Sequence, residues 1–126
     1  MEFEIFIKRD DGKYKQKFCG KKRNYPKYYE YLYKDETDSK ISISVYGDKV
    51  LLQRDGEICL KQIFMEGKKS KFLYRNSSFE TEMEISTEKI DKIKYGLNIK
   101  YKLFNCGDEI NNIEFSLKEK GEDNEI

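Results

Sequence analysis

The sequence predicts an all-β single domain, a closed or nearly closed antiparallel up-and-down barrel of about eight to ten strands. Three observations carry this. Apolar and polar side chains alternate along most of the chain, and no segment holds a sustained helical stripe. Turn-forming residues recur at intervals of roughly 8 to 12 residues. Across five successive turns, the loop length suggested by the turn residues also keeps the apolar side chains on one face, because directly opposed residues of an antiparallel pair share a face.

Taken in order, "FEIFIK" places Phe3, Ile5 and Ile7 on one face. "YYEYLY" places Tyr29, Tyr31 and Tyr33 on one face and Tyr28, Glu30 and Leu32 on the other, and tyrosine suits such a strand through its apolar ring and polar tip. Ile41, Ile43 and Val45 form the next row. They are odd-numbered whereas Val50 and Leu52 are even, so an even loop is needed, and Gly47-Asp48 supplies a type II′ turn. Leu52 and Ile58 are both even, which suits a three-residue loop Arg54-Asp55-Gly56 with Gly56 left-handed. The same reasoning joins Phe64 to Phe72 through Met65-Glu66-Gly67, Tyr74 to Phe79 through Asn76-Ser77, and Leu103 to Ile113 through Asn105-Cys106-Gly107. "FETEMEIST" sets Phe79, Thr81, Met83 and Ile85 against Glu80, Glu82 and Glu84; "LNIKYKL" points Leu97, Ile99, Tyr101 and Leu103 inward. "STEKIDKI" is the one stretch that could form a short helical turn. Residues 41 to 87 are expected as a helix-free meander with turns at Gly47, Gly56, Gly67 and Asn76.

A meander this long exposes two edges unless it closes, and closure is the usual solution for a soluble domain of this size. The domain is expected to occupy residues 1–126, with its core over 3–117 and an acidic, frayed tail over 118–126. The chain carries 25 basic and 24 acidic side chains, so net charge selects no partner. The distribution is uneven: residues 13 to 34 carry eight Lys or Arg against Glu30 alone, and residues 76 to 91 carry five acids against Lys89. No stretch approaches the roughly 20 apolar residues of a spanning helix, and "MEFEIFIKRD" lacks the basic-then-apolar order of a signal peptide. The chain is expected in the cytoplasm without a membrane partner, and an outward face of Lys and Glu does not suit an outer-membrane barrel. Cys19, Cys59 and Cys106, an odd number at wide spacing, suit reduced thiols. Histidine is absent, which removes the commonest general base and metal ligand. No catalytic residue, metal or cofactor is expected, and the chain is not expected to be an enzyme.

The order Gly20, "YYEYLY", "ISISV", "VLLQRDGEICLKQIFMEG", "FLY", "FETEMEIST", "IKYKL" resembles the YwiB-like proteins, small cytoplasmic bacterial β-barrels classed with the calycins. The resemblance covers roughly residues 3 to 117, and Arg54 with Gly56, Phe64 with Glu66-Gly67, and Tyr74 are its most specific parts. The chain departs from the pattern at Tyr74-Arg75-Asn76-Ser77-Ser78, where the family has Tyr, one residue, then Thr and an early Gly. The resemblance implies a lipocalin-like barrel and no activity.

Candidate site residues come from polar positions whose parity points inward. Gln62 is in phase with Ile58, Leu60 and Phe64; Lys68 and Ser70 with Phe72; Thr81 with Met83. In the register expected above, Gln62 opposes Ser70 one step from the pair Phe64 and Lys68, so these groups gather at the Gly47 and Gly67 end. Either Gln62 and Ser70 bond each other at a wet rim, or Gln62, Phe64, Lys68, Ser70 and Thr81 form a small-ligand mouth, apolar below and polar at the lip. The alternative is a nucleic-acid or protein surface on the basic, tyrosine-rich segment, where Lys21, Lys22, Arg23 and Lys27 would meet phosphates and Tyr29 and Tyr31 would stack bases. The acidic remainder of the chain opposes a polyanion. Cys59 has no histidine to activate it, the Glu80, Glu82 and Glu84 row reads as a solvated strand face, and Gly47, Gly56, Gly67 and Gly107 read as turn glycines. The expected function is a non-catalytic binding module for a small ligand.

Overall fold

The structure, a computed structural model, describes residues 1–120. Ten strands run through them: β1 (Glu2–Arg9), β2 (Gly12–Asn24), β3 (Tyr28–Lys34), β4 (Lys40–Tyr46), β5 (Val50–Asp55), β6 (Leu60–Phe64), β7 (Lys69–Arg75), β8 (Glu80–Ile93), β9 (Gly96–Asn105) and β10 (Asp108–Lys120). No helix lies among the described residues. The fold is the nearly closed, all-antiparallel barrel that the alternation predicts.

Closure runs through the two ends of the described chain. β1 pairs with β10, setting Ile5 opposite Leu117 and Phe3 opposite Glu119. The inward rows bury Phe3, Ile5, Ile43, Val45, Val50, Phe64, Ile85, Leu97, Ile99 and Leu117 to 2% exposure or less. Each such side chain contributes about 1.5–3 kcal/mol by leaving water. β2 serves both halves of the barrel. Its first part pairs with β1 up to Cys19, and from Gly20 it pairs with β3. At Gly20 a β-carbon would overlap the Leu32 carbonyl oxygen and the Phe3 ring, so the strand changes partners at a residue without a side chain.

The seam lies in mid-chain, between β6 and β7. The expected Phe64–Lys68 and Gln62–Ser70 pairs do not form. The Met65–Lys68 turn, with Gly67 left-handed at φ 76° as expected, passes its hydrogen bonds to β8: Gly67 N–H donates to the Thr87 carbonyl and Thr87 N–H to that of Lys68. β7 is thereby drawn toward β8 and away from β6. The seam is stitched by a Cys59–Arg75 bridge, with N–H to O=C distances of 2.8 and 3.1 Å, and by the Ser70 hydroxyl donating to the Ile63 carbonyl at 2.6 Å.

Other turns keep the expected parity with different geometry. Gly47-Asp48 does form a two-residue turn, closed by Tyr46 N–H on the Lys49 carbonyl, but neither residue has positive φ and the type II′ turn is absent. Leu52 faces Gln62, so the β5–β6 loop is Asp55–Cys59 and is longer than expected by two residues. Gly56 is not left-handed; a β-carbon there would overlap Ser39, on which this loop packs. Ser77-Ser78, rather than Asn76-Ser77, is the β7–β8 turn, with Asn76 N–H donating to the Phe79 carbonyl. Cys106 and Gly107, at φ 53° and 82°, make a two-residue turn that alone would invert the faces; a bulge at Ile110 restores them. "STEKIDKI" is strand, and a bulge at Glu88 between Thr87 and Lys89 breaks its alternation. Lys118, Glu119 and Lys120, expected in the tail, complete β10 instead, with Glu119 buried; residues 121–126 lie outside the described residues.

Candidate functional site

Alternate turns of a meander lie at the same end. The β1–β2, β3–β4, β5–β6, β7–β8 and β9–β10 turns therefore surround one mouth of the barrel, away from the Gly47 and Gly67 end. Behind that mouth is a cavity of about 470 Å³ to which every strand contributes. Its walls are apolar and aromatic, Ile5, Phe18, Leu52, Phe72, Met83 and Phe115 among them, and its lip holds Arg9, Tyr14, Asp35, Glu36 and Arg54. Three of the lip residues continue the inward rows by parity. Arg9 follows Phe3, Ile5 and Ile7; Asp35 follows Tyr31 and Tyr33; Arg54 follows Val50 and Leu52. That phase marks them in the sequence, although a charged residue in an apolar row names no partner.

Asp35 organises the β3–β4 loop. Its Oδ1 accepts from the Thr37 hydroxyl at 2.7 Å, Thr37 N–H at 2.9 Å and Ser39 N–H at 3.1 Å, while Oδ2 meets the Arg54 guanidinium at 3.1 Å. Arg54 also donates to Thr37 Oγ1 at 3.3 Å. Asp38, at φ 63°, takes the left-handed conformation that Asp tolerates and lets the loop return. Burial pushes the Asp35 carboxyl up, but the Thr37 hydroxyl, the two backbone N–H groups and Arg54 outweigh it and hold Asp35 below the usual carboxylate range. The Tyr14 hydroxyl lies 2.9 Å from Glu36 Oε2 and 2.6 Å from Gln16 Oε1. Burial and then Glu36 push its phenol up to about 12.

The depressed carboxyl gives a sign. A carboxylate with a folded value below its unfolded one stabilises the protein above the unfolded value, about pH 4, and that stability is lost as pH falls toward the folded value. Asp35→Asn is expected to cost about 1–3 kcal/mol at neutral pH, a cost that shrinks as pH is lowered from about 7 to about 3. Urea denaturation at the two pH values measures this; a cost unchanged on acidification would show that the Asp35 charge does not hold the loop.

Of the five residues singled out as a mouth, Gln62 alone lines this cavity. It is 8% exposed, and its side chain makes no hydrogen bond among the described residues. Phe64 is core, packed on Tyr101 at 4.8 Å between ring centres. Lys68 is exposed at the turn, Ser70 is spent on the seam and Thr81 is half-buried outside the cavity lining. On the basic segment, Lys21, Arg23 and Lys27 are exposed, but Lys22 is in phase with Phe18 and turns inward. Its ammonium meets Glu119 at 2.9 Å and lies 4.8 Å from the Tyr29 ring centre. Tyr31 is 1% exposed and donates its hydroxyl to Glu119 at 2.8 Å. The outward face presents a different aromatic row, Tyr25, Tyr28 and Tyr46, with ring centres 4.6 Å apart in each successive stack.

A sequence profile described as "Domain of unknown function (DUF1934)" matches residues 4–117. The chain belongs to this family. The matched part of the DUF1934 domain reaches from β1 into β10 and holds every residue that lines the cavity. Among solved structures, the DUF1934 domain is similar to the ywiB protein from Bacillus subtilis, known from a crystal structure. The TM-score is 0.65 at 19% identity, over 95% of this chain and 89% of that one. At that identity the likeness shows a shared fold, and it bears out the YwiB-like barrel expected from the sequence. No curated protein gives a significant match.

Proposed function

We propose that this DUF1934 barrel is a binding module for one small ligand, held in the cavity between Gln62 and the Arg54 lip. The observation that carries the reading is the cavity itself: about 470 Å³, walled by apolar side chains, with the unbonded Gln62 amide facing into it. That volume and lining are those of small-molecule sites, and buried polar groups usually find a partner. Catalysis is not part of the proposal, since no histidine is available and the lip carboxylates are engaged in holding loops. The nucleic-acid alternative retains Lys21, Arg23 and Lys27, but two of its six residues, Lys22 and Tyr31, are turned to Glu119.

Native mass spectrometry of gently purified protein tests the reading first, since a retained small molecule and a retained nucleic acid differ in mass and absorbance. A compound that raises the melting temperature is expected to lose its effect in Leu60→Trp, which fills the cavity from the seam strand, and in Gln62→Leu. Glu82→Ala, on the solvated face, is expected to keep it. Equal shifts in all three variants would remove the cavity as the site, and salt-dependent retention of RNA lost on replacing Lys21 and Arg23 would favour the alternative.

A further inference from the structure

Around the cavity, the Asp35 carboxylate is fully engaged while several donors are not. Asp35 engages four donor groups through its two oxygens, and Glu36 faces the Tyr14 hydroxyl. The groups without a partner include donors and cations. Arg54 Nε is buried without a hydrogen-bond partner, although the same guanidinium meets Asp35 through its other end. Arg9 lines the cavity and has no ion-pair partner among the described residues. Tyr33 and Tyr101 line it too, with no hydrogen bond from either hydroxyl among the described residues. Burial raises both phenols, Tyr101 to about 12, so they stay neutral donors at physiological pH. The Gln62 amide adds two N–H donors and one carbonyl acceptor at the inner end.

We propose that the ligand is an amphipathic carboxylate, its apolar body in the barrel and its carboxylate at the Arg9 and Arg54 lip. The inference rests on the cavity being a binding site and adds the chemistry of what it takes. An anion supplies acceptors to the cationic lip, and a planar carboxylate matches the guanidinium fork. A buried monoanion costs less desolvation than a dianion. Glu36 carries an opposing charge at the same lip, exposed like Arg9, and its Oε2 already faces the Tyr14 hydroxyl.

The test uses matched compounds on the whole protein: decanoate, decan-1-ol and decylammonium, with naphthoate and naphthalenemethanol as a rigid aromatic pair. Calorimetry below the micelle concentrations is expected to show at least one acid binding about tenfold or more tighter than its alcohol, and the ammonium weaker than both, because a charge-assisted hydrogen bond is roughly twice as strong as a neutral one. Arg9→Gln is expected to reduce the acid-to-alcohol ratio toward one while leaving alcohol binding in place. Arg54→Lys keeps a charge near Asp35 but removes the planar guanidinium fork, and is expected to reduce the ratio likewise; if it fails to fold, Arg9→Gln still decides, since Arg9 is exposed and holds no ion pair among the described residues. Equal binding of acid and alcohol, preference for the ammonium, or a ratio unchanged by Arg9→Gln overturns the proposal and leaves the cavity as a site for other chemistry. Binding of none of these compounds also overturns it, while a retained molecule of another class in native mass spectrometry would show that the binding reading survives.

Discussion

Gly96→Ala lowers the unfolding free energy by about 3 kcal/mol, an expected result that follows from backbone geometry. Gly96 opens β9 and is buried between two ladders, opposite Ile93 of β8 and Lys118 of β10. Its φ is not left-handed, so an alanine could adopt the backbone conformation, yet the new β-carbon would overlap the Leu117 carbonyl oxygen. A flexible side chain could rotate away from such a contact; a carbonyl held in a ladder cannot. Leu117 also pairs with Ile5 in the β1–β10 ladder, so displacing it loosens the strand pair that closes the barrel. Gly47→Ala is the control, because a β-carbon at Gly47 has nothing within 4 Å and φ there is not positive. It is expected to stay within roughly 0.5 kcal/mol of the parent. Urea denaturation of both variants measures the contrast, and a Gly96→Ala protein as stable as Gly47→Ala would mean that β10 yields without cost.

Tyr31→Ala is expected to cost about 3–5 kcal/mol and Tyr31→Phe about 1–3 kcal/mol. The larger value reflects an aromatic side chain that is 1% exposed and packs edge-on against Phe3 at 5.3 Å. The smaller value isolates the hydroxyl, which shares Glu119 Oε2 with the Lys22 ammonium. Glu119 sits on β10 and Lys22 on β2, so this cluster ties both sides of β1 across the barrel interior. Burial, then the hydrogen bond and charge of Glu119, push the Tyr31 phenol far up. A tyrosine whose folded value is raised stabilises fully below the unfolded value, about pH 10, and that stability is lost as pH rises above it. The gap between parent and Tyr31→Phe should therefore narrow between about pH 8 and about pH 11. A gap constant across that range, or a Tyr31→Ala protein of parental stability, would show that Tyr31 lies at a surface. A base-stacking role for Tyr31 predicts the opposite outcome, weakened RNA binding in a fully folded barrel.

Strand existence, facing and the absence of a helix between Ile41 and Ile85 were legible in the sequence because a strand's side-chain period is two and each apolar row declares its own phase. The left-handed Gly67 was legible because few residues besides glycine adopt that conformation comfortably. The inward turn of Lys22 and Glu119 was legible in principle, from Phe18 and from Phe115 and Leu117 in the same rows, but a charged residue in an apolar phase states no partner. The pairing registers were not legible. Parity constrains a register only modulo two residues, so Leu52 opposite Gln62 satisfies the same faces as Leu52 opposite Ile58. Moving the partner by four residues lengthens a loop without exposing a side chain. The tertiary structure alone decided where the barrel stays open, because β7 is claimed by Thr87 and its strand rather than by β6, its neighbour in sequence. It alone placed the cavity mouth at the Arg54 end and brought Lys22 to Glu119 across 97 residues of chain. Alternation is a local property that each segment carries by itself, whereas closure depends on all ten strands competing for the same hydrogen bonds at once.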